Sequence, residues 1–100
     1  MFMHVVMWNF KPEVKEEEKE ALAERMKQEL LALKGQVPGL YDITFFTKPL
    51  AGSTHDLGLL TLHESEEEIA SYGAHPAHVA VAKKYIMPYT CDRCCLNFEA

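Results

Sequence analysis

Residues 71–79 read SYGAHPAHV, and this short segment decides how the second half of the chain folds. Pro76 favours the first turn of a helix, where its missing N–H would have no partner in any case. The residue before a proline is pushed toward an extended conformation, so His75 is expected to separate two helices. The segment therefore predicts one helix that ends near Gly73 and a second that starts at Pro76. The bend between them carries the side chains of Tyr72, His75 and His78.

The sequence on either side of this bend predicts alternating strands and helices. Apolar residues alternate with a period of two in the strand segments and recur at helical spacing in the helix segments. Ser65 and Glu68 form a capping box, which marks the start of the helix that leads into the bend. The predicted strands are Met1–Phe10, Leu40–Thr47, His55–His63 and Thr90–Phe98. The predicted helices are Glu13–Lys34, the short helix after Ser65, and Pro76–Met87.

The order of these elements is βαββαβ, with the second helix broken. This order predicts an α+β protein with a ferredoxin-like protomer, in which two helices cover one face of a four-stranded antiparallel sheet. A chain of 100 residues is expected to form a single domain over residues 1–100.

The face of the sheet without helices is expected to be apolar. Residues on at least three strands contribute to it, namely Met3, Val5 and Met7 or their alternates, with Leu60, Leu62, Leu96 and Phe98. A soluble monomer rarely exposes a continuous patch of this kind. The pattern therefore predicts a homodimer that pairs this face with its own copy.

Composition excludes several classes of function. The net charge is −5 with no basic stripe, which argues against nucleic acid as a partner. The apolar runs are too short to span a membrane, and the first residues lack the basic start and cleavage site of a signal peptide. Three cysteines in such a chain indicate reduced thiols and a cytoplasmic location.

The bend is the best candidate for chemistry. A neutral imidazole has a reference pKa of about 6.5 and can take a proton from carbon beside a carbonyl, and a phenol O–H can stabilise the resulting oxyanion. Tyr72 and His78 are therefore a candidate acid/base pair, with His4 and His75 as supporting residues. The alternative is that Tyr72 packs in the core, that the bend histidines cap a helix or face solvent, and that His4 is a satisfied core residue.

The cysteines invite a redox or zinc interpretation. In a regular strand, positions three apart face opposite sides, so Cys91 and Cys94 are expected not to converge. No second cysteine pair completes a zinc site, and His75 with His78 is short of ligands for any metal. The prediction is that Cys91, Cys94 and Cys95 act as small hydrophobic residues, with no bound metal and no cofactor.

The chain resembles the stress-responsive A/B barrel (Dabb) family over nearly its whole length. The resemblance rests on Met3-His4-Val5-Val6, Phe10–Val14, the Val37-Pro38-Gly39 turn, the strand around Asp56-Leu57, Ser71-Tyr72 followed by His75–Val79, and Asp92-Arg93 with Phe98. It implies a ferredoxin-like protomer, a dimeric α/β barrel, and a pocket between the sheet and the helices of each protomer.

The resemblance also carries expectations about function. One similar plant member is a polyketide cyclase that closes a ring by aldol condensation without a cofactor, using a tyrosine and a histidine that correspond to Tyr72 and His78. A first-strand pocket histidine corresponds to His4. The chain departs from relatives at Lys15, at the three cysteines of the last strand, and at Leu57, where the cyclase has a polar pocket residue. The residues expected to line the pocket are Val6, Trp8, Leu22, Met26, Leu57 and Leu59.

The leading hypothesis is a homodimeric protein that binds a small apolar or aromatic molecule and carries out cofactor-free proton transfer or cyclisation on it. Two alternatives remain, a non-catalytic stress-associated binding module and a cofactor-free monooxygenase.

Overall fold

A four-stranded antiparallel sheet forms the centre of the computed structural model, which describes all 100 residues. The strands are β1 (Phe2–Phe10), β2 (Leu40–Phe46), β3 (Leu57–His63) and β4 (Thr90–Glu99), and they lie in the order β2-β3-β1-β4. The helices are α1 (Glu16–Leu31), α2 (Glu66–Ala74) and α3 (Pro76–Val81), and α3 continues into a π-helical turn over Ala82–Ile86. This architecture confirms the α+β class and the ferredoxin-like βαββαβ order.

The hydrophobic core lies between the helices and one face of the sheet. Alternation along the strands directs one set of side chains to this face, including Val6, Ile43 and Leu59, all of which are buried. The helix α1 covers them with a stripe that includes Met26 and Leu30.

The opposite face of the sheet carries no helix and is apolar. Register pairs Val5 of β1 with Leu60 of β3 on one side and with Leu96 of β4 on the other. Met7 and Phe46, on the same face, are exposed. Adjacent partners in a ladder share a face, so these side chains form one continuous surface, which we call the open face.

The helices differ from the predicted ones at their ends. The last turn of α1 tightens after Leu31, because the N–H of Leu33 bonds the carbonyl of Leu30, and Gly35 then turns the chain at a φ of 92°. The last helix instead widens into a π-helical turn, in which the N–H of Met87 donates to the carbonyl of Ala82, five residues back, at 2.8 Å. Such π-helical turns are frequent at functional sites.

Two local predictions are confirmed. His75 has φ −64° and ψ 134°, so the extended residue before Pro76 separates α2 from α3. The capping box is formed, with the N–H of Glu68 donating to Ser65 Oγ at 3.2 Å and the N–H of Ser65 donating to Glu68 Oε1 at 3.1 Å.

Substitution of Gly39 by a residue with a side chain is predicted to destabilise the fold. Gly39 has a φ of 81°, and a methyl group there would collide with the Glu68 carboxylate that caps α2. We expect Gly39→Ala to lower the free energy of unfolding by about 1–2 kcal/mol. Gly52→Ala is the matched control, because an added methyl group there meets no atom within 4 Å. Urea denaturation of the two variants should separate them, and equal midpoints would contradict the prediction.

No helix in the chain is both long enough and apolar enough to cross a membrane.

Candidate functional site

A cavity of about 380 Å³ lies between the helix-covered face of the sheet and the α2–α3 bend. Its wall is mainly apolar, with contributions from β1, β3, β4, α1, α2, α3 and the π-helical turn. The apolar side chains on the wall include Val6, Trp8, Leu30, Leu59, Ile69, Ile86 and Met87. The polar side chains on the wall are His4, Tyr72, His78 and Arg93.

Tyr72 is the centre of this site. Its side chain is buried, and its hydroxyl is the one buried side-chain oxygen or nitrogen atom without a hydrogen-bond partner. Burial raises the pKa of the phenol well above its ordinary value. The hydroxyl is therefore protonated at neutral pH, and it is an unused donor beside the cavity, where a substrate oxygen or a water could accept from it.

Three imidazole rings surround the phenol ring of Tyr72. The centroid of His78 lies 4.5 Å away, that of His63 5.5 Å and that of His4 6.2 Å. The three histidines come from different elements, α3, β3 and β1, so only the folded chain brings them together.

His78 is oriented by the bend itself. Its Nδ1 lies 3.0 Å from the carbonyl oxygen of Gly73, which can only accept, so Nδ1 carries the proton and Nε2 keeps its lone pair. Burial lowers the pKa of His78, with smaller contributions in the same direction from the charges on His4, Arg93 and His75 and an opposing one from the Gly73 carbonyl. The ring is therefore neutral at neutral pH and able to accept a proton.

His4 stands on the floor of the cavity in β1. Its Nδ1 donates to Asn97 Oδ1 across the β1–β4 pair at 2.6 Å, and Cys95 Sγ lies 3.5 Å from the same nitrogen. Burial lowers the pKa of His4, and the bond to Asn97 partly offsets that shift. The second ring nitrogen of His4 then has the acceptor role.

His63 is a site residue that the sequence interpretation missed. It is fully buried, its Nδ1 donates to the carbonyl of Gly39 at 3.1 Å, and its Nε2 accepts from Thr61 Oγ1 at 2.9 Å. These two bonds fix the ring that supports one side of Tyr72. The sequence signal was present, because Thr61 and His63 are two polar residues on the strand face that otherwise buries leucine.

Several of the predicted site residues lie away from the cavity. His75 caps α3, where its Nδ1 accepts from the N–H of Ala77 at 3.1 Å. Met26 and Leu57 are buried in the core, and Leu22 packs against it from α1. Of the predicted lining residues, the cavity wall contains Val6, Trp8 and Leu59, besides Tyr72, His78 and His4.

The prediction that Cys91 and Cys94 face opposite sides of the sheet is wrong. The β1–β4 register shifts between Met7, which pairs with Cys94, and Asn9, which pairs with Cys91. Asp92 takes a φ of 54° at this bulge, so the extra residue turns both thiols to the open face.

The three cysteines are free thiols. Cys94 Sγ lies 3.7 Å from His55 Nε2, and Cys91 Sγ lies 3.5 Å from the carbonyl oxygen of Phe10. No group of three or more His, Cys, Asp or Glu side chains is arranged to hold a metal ion.

The histidine cluster predicts that acid destabilises the fold. Burial lowers the pKa of His4, His63 and His78, so the unfolded chain binds more protons than the folded chain below about pH 6.5. This contribution to stability is fully present above about pH 6.5 and is lost as the pH falls through the lower folded-state values. Urea denaturation at fixed protein concentration should show a smaller free energy of unfolding at about pH 5.5 than at about pH 7.5. The loss should be smaller in His78→Gln, and equal stability at the two pH values would contradict the prediction.

Several solved structures share this fold, and the similarity covers nearly the whole chain. A dimeric protein of unknown function from Bacteroides fragilis superposes with a TM-score of 0.89 at 23% identity, covering 99% of this chain and 95% of its own. A dimeric ferredoxin-like protein of unknown function from Thermobifida fusca gives 0.81 at 22% identity, covering 99% and 90%. A hydroxynitrile lyase from Passiflora edulis gives 0.75 at 13% identity, covering 97% and 90%. At these identities the similarities show the fold.

Family membership follows from the sequence as a whole. No curated protein matches the chain. The model of the stress responsive A/B barrel domain matches residues 2–100, which includes every strand and helix around the cavity. The chain therefore belongs to the stress responsive A/B barrel (Dabb) domain family.

Proposed function

We propose that this protein is a cofactor-free enzyme that moves a proton at a carbon atom beside a carbonyl group of a small, mainly apolar substrate. One observation carries the proposal: the buried, unpartnered hydroxyl of Tyr72 and the neutral imidazole of His78 border the same cavity, with ring centroids 4.5 Å apart. A buried donor without a partner costs free energy, and a substrate oxyanion would repay that cost.

The proton transfer assigns one role to each ring. The lone pair on Nε2 of His78 takes a proton from the carbon beside the carbonyl, and the C–H electron pair moves into the enolate. The hydroxyl of Tyr72 donates a hydrogen bond to the enolate oxygen and keeps its own proton, because burial raises the pKa of the phenol. In D₂O the protonated His78 exchanges its N–H proton with solvent and then returns a deuteron to the enolate carbon, which completes an exchange cycle.

Ring closure uses the same two residues. If the substrate carries a second carbonyl, the enolate carbon attacks it, a carbon–carbon bond forms, and the new alkoxide takes the proton that His78 holds. No electron acceptor is needed for this aldol step. The family resemblance to a polyketide cyclase supports it, and a cavity of about 380 Å³ is the size of a site for a small ligand.

Deuterium exchange tests the proposal without a known substrate. The probe is 4-phenylbutan-2-one, which has an apolar body and exchangeable protons beside a ketone. In D₂O, proton NMR should show that the protein accelerates exchange at these positions at neutral pH. Exchange no faster than in buffer, with binding of the ketone detected by calorimetry, would favour the binding-module alternative instead. Oxygen consumption during the reaction would favour the monooxygenase alternative.

We further propose that the functional unit is a homodimer joined through the open face. Met7, Phe46 and Leu96 are exposed on this face of the isolated chain, which leaves an apolar surface in water. The solved structures from Bacteroides fragilis and Thermobifida fusca are described as dimeric, and both share the fold. Pairing of two open faces would enclose the apolar surface and leave both cavities on the outer, helix-covered sides.

We propose a cytoplasmic location on the basis of the cysteines. All three are free thiols, and two of them lie on the open face. Free thiols persist where the compartment is reducing. Nucleic acid is not proposed as a partner, because the net charge is −5 and no basic stripe is present.

A further inference from the structure

Arg93 is the one residue on the cavity wall that carries a full charge at neutral pH. The other titratable residues on the wall are His4, Tyr72 and His78. Burial lowers the pKa of both histidines and raises that of the phenol, so all three are neutral. A ligand in the cavity therefore meets a single fixed charge, and that charge is positive.

The guanidinium of Arg93 has no partner within the chain. The salt bridges of the protein involve Lys19, Arg25 and Lys34, and no hydrogen bond involves the Arg93 side chain. The nearest acidic residue in sequence, Asp92, points elsewhere, since its carboxylate accepts from the side chain of Asn9 at 3.2 Å. An arginine without a partner in a chain of net charge −5 is a free binding group.

The bulge in β4 fixes the position of this charge. Asp92 occupies the bulge at a φ of 54°, and from Arg93 onward the strand alternates so that Arg93, Cys95 and Asn97 share the helix-covered face. Bulges beside functional sites commonly aim a side chain in this way. Arg93 is exposed and borders the cavity together with the exposed Met87 and Gly73, so these residues form its mouth, while the buried Tyr72 lies deeper.

We infer that Arg93 makes the cavity select substrates that carry a carboxylate at one end of an apolar body. This inference rests on the proposed function and adds the substrate class to it. A guanidinium presents parallel N–H donors that match the two oxygens of a carboxylate, which gives both attraction and orientation. A carboxylate held at the mouth directs the apolar remainder of the molecule toward Tyr72 and His78.

The position of Arg93 also links ligand binding to the catalytic histidine. The positive charge of Arg93 contributes to the lowered pKa values of His4 and His78. A bound carboxylate offsets that charge and should raise the pKa of His78. The titratable and charged groups that act on His78 are His4 on β1, Arg93 on β4 and His75 at the start of α3.

Matched ligands test the inference on the intact protein. The probes are 4-phenylbutanoate and 4-phenylbutanamide, which have the same shape and differ in charge. Calorimetry should show that the wild type binds the carboxylate roughly tenfold more tightly than the amide. The fluorescence of Trp8, the only tryptophan and a residue of the cavity wall, should change with both probes and so place them in the cavity.

Substitutions then assign the preference to Arg93. Arg93→Gln should remove the tenfold preference, chiefly by weakening the binding of the carboxylate, and Arg93→Lys should retain part of the preference. Lys83→Gln is the matched control, because Lys83 carries an exposed positive charge on the π-helical turn and is not among the residues that line the cavity. In NMR titrations, the pKa of His78 should rise on addition of 4-phenylbutanoate to the wild type and should not rise in Arg93→Gln.

The outcomes separate this inference from the proposed function. Equal affinity of the wild type for the two probes, with exchange into 4-phenylbutan-2-one intact, would overturn the carboxylate selection alone. A preference that survives in Arg93→Gln would overturn the role of Arg93, whether or not it also survives in Lys83→Gln. A tenfold preference without any exchange activity would support the selection at this site and reject the proposed catalysis. The inference would be overturned if, at millimolar concentration, neither probe changed the fluorescence of Trp8 and neither gave a heat of binding.

Discussion

His78→Gln is expected to lower the rate of deuterium exchange into 4-phenylbutan-2-one by roughly 10²–10⁴-fold, the usual effect of removing a general base. Glutamine is close in size to histidine and can still donate to the carbonyl of Gly73, as Nδ1 of the imidazole does at 3.0 Å. Its amide cannot accept a proton at neutral pH. The variant should therefore keep the fold and lose the chemistry.

Tyr72→Phe provides an independent test, because stability and activity should change in different directions. The hydroxyl is buried without a partner, so its removal should leave the free energy of unfolding unchanged or raise it. The same change removes the donor for the oxyanion and should slow exchange by roughly 10²–10³-fold. If Tyr72 only packed in the core, Tyr72→Phe would have the same effect on stability but would leave the exchange rate unchanged. Loss of stability in Tyr72→Phe would contradict this account of the site.

The pH dependence of exchange should follow His78. Burial lowers the pKa of this histidine, so the rate should stay constant through neutral pH and fall only as the pH drops below about 6.5 and the imidazole becomes protonated. His55→Gln is a suitable control, since His55 lies by the open face, where its Nε2 donates to the carbonyl of Asp92 at 3.2 Å. Its profile should match that of the wild type, and a wild-type rate that rises on acidification would rule out His78 as the base.

The parts of this protein that sequence predicts well are those set by local chemistry. The Pro76 break, the Ser65 cap and the alternation of the strands depend on residues a few positions apart, and the structure has all three. The proximity of Tyr72 and His78 belongs to the same class, because the extended residue His75 turns two adjacent helical segments toward each other.

The parts that sequence did not predict depend on contacts between distant segments. The bulge at Asp92 exists only in the pairing of β4 with β1, and it reverses the face that spacing assigns to Cys91. His63 and Tyr72 meet through packing of α2 on β3, which no spacing rule indicates. Met26 lies outside the cavity because its side chain packs in the hydrophobic core. The cavity lies beside the α2–α3 bend instead. Where the core ends and the cavity begins depends on the whole fold.

Leu60→Asp is expected to convert the protein from a dimer into a monomer. Leu60 is in β3 on the open face, with Val5 beside it on β1 and Thr44 beside it on β2, so it occupies the middle of the surface that we propose as the interface. In a two-fold dimer each substitution occurs twice. Leu60 is half-buried in the isolated chain, so the variant dimer loses only part of the about 1.5–3 kcal/mol that each leucine side chain can contribute. It must also bury two carboxylates at several kcal/mol each, and together these costs should raise the dissociation constant by at least roughly 10²-fold.

Analytical ultracentrifugation at micromolar concentration measures this change directly. The wild type should sediment as a dimer, and we expect its interface to bury on the order of 1,600 Å² or more. Leu60→Asp should sediment as a monomer or aggregate. Ala80→Asp is the matched control, because it adds the same charge to an exposed position of α3, on the helix-covered side. That variant should remain a dimer, since two-fold pairing of the open faces leaves both sets of helices in solvent. If the wild type were a stable, folded monomer at this concentration, the proposed interface would be rejected, because Met7, Phe46 and Leu96 would then remain exposed to water.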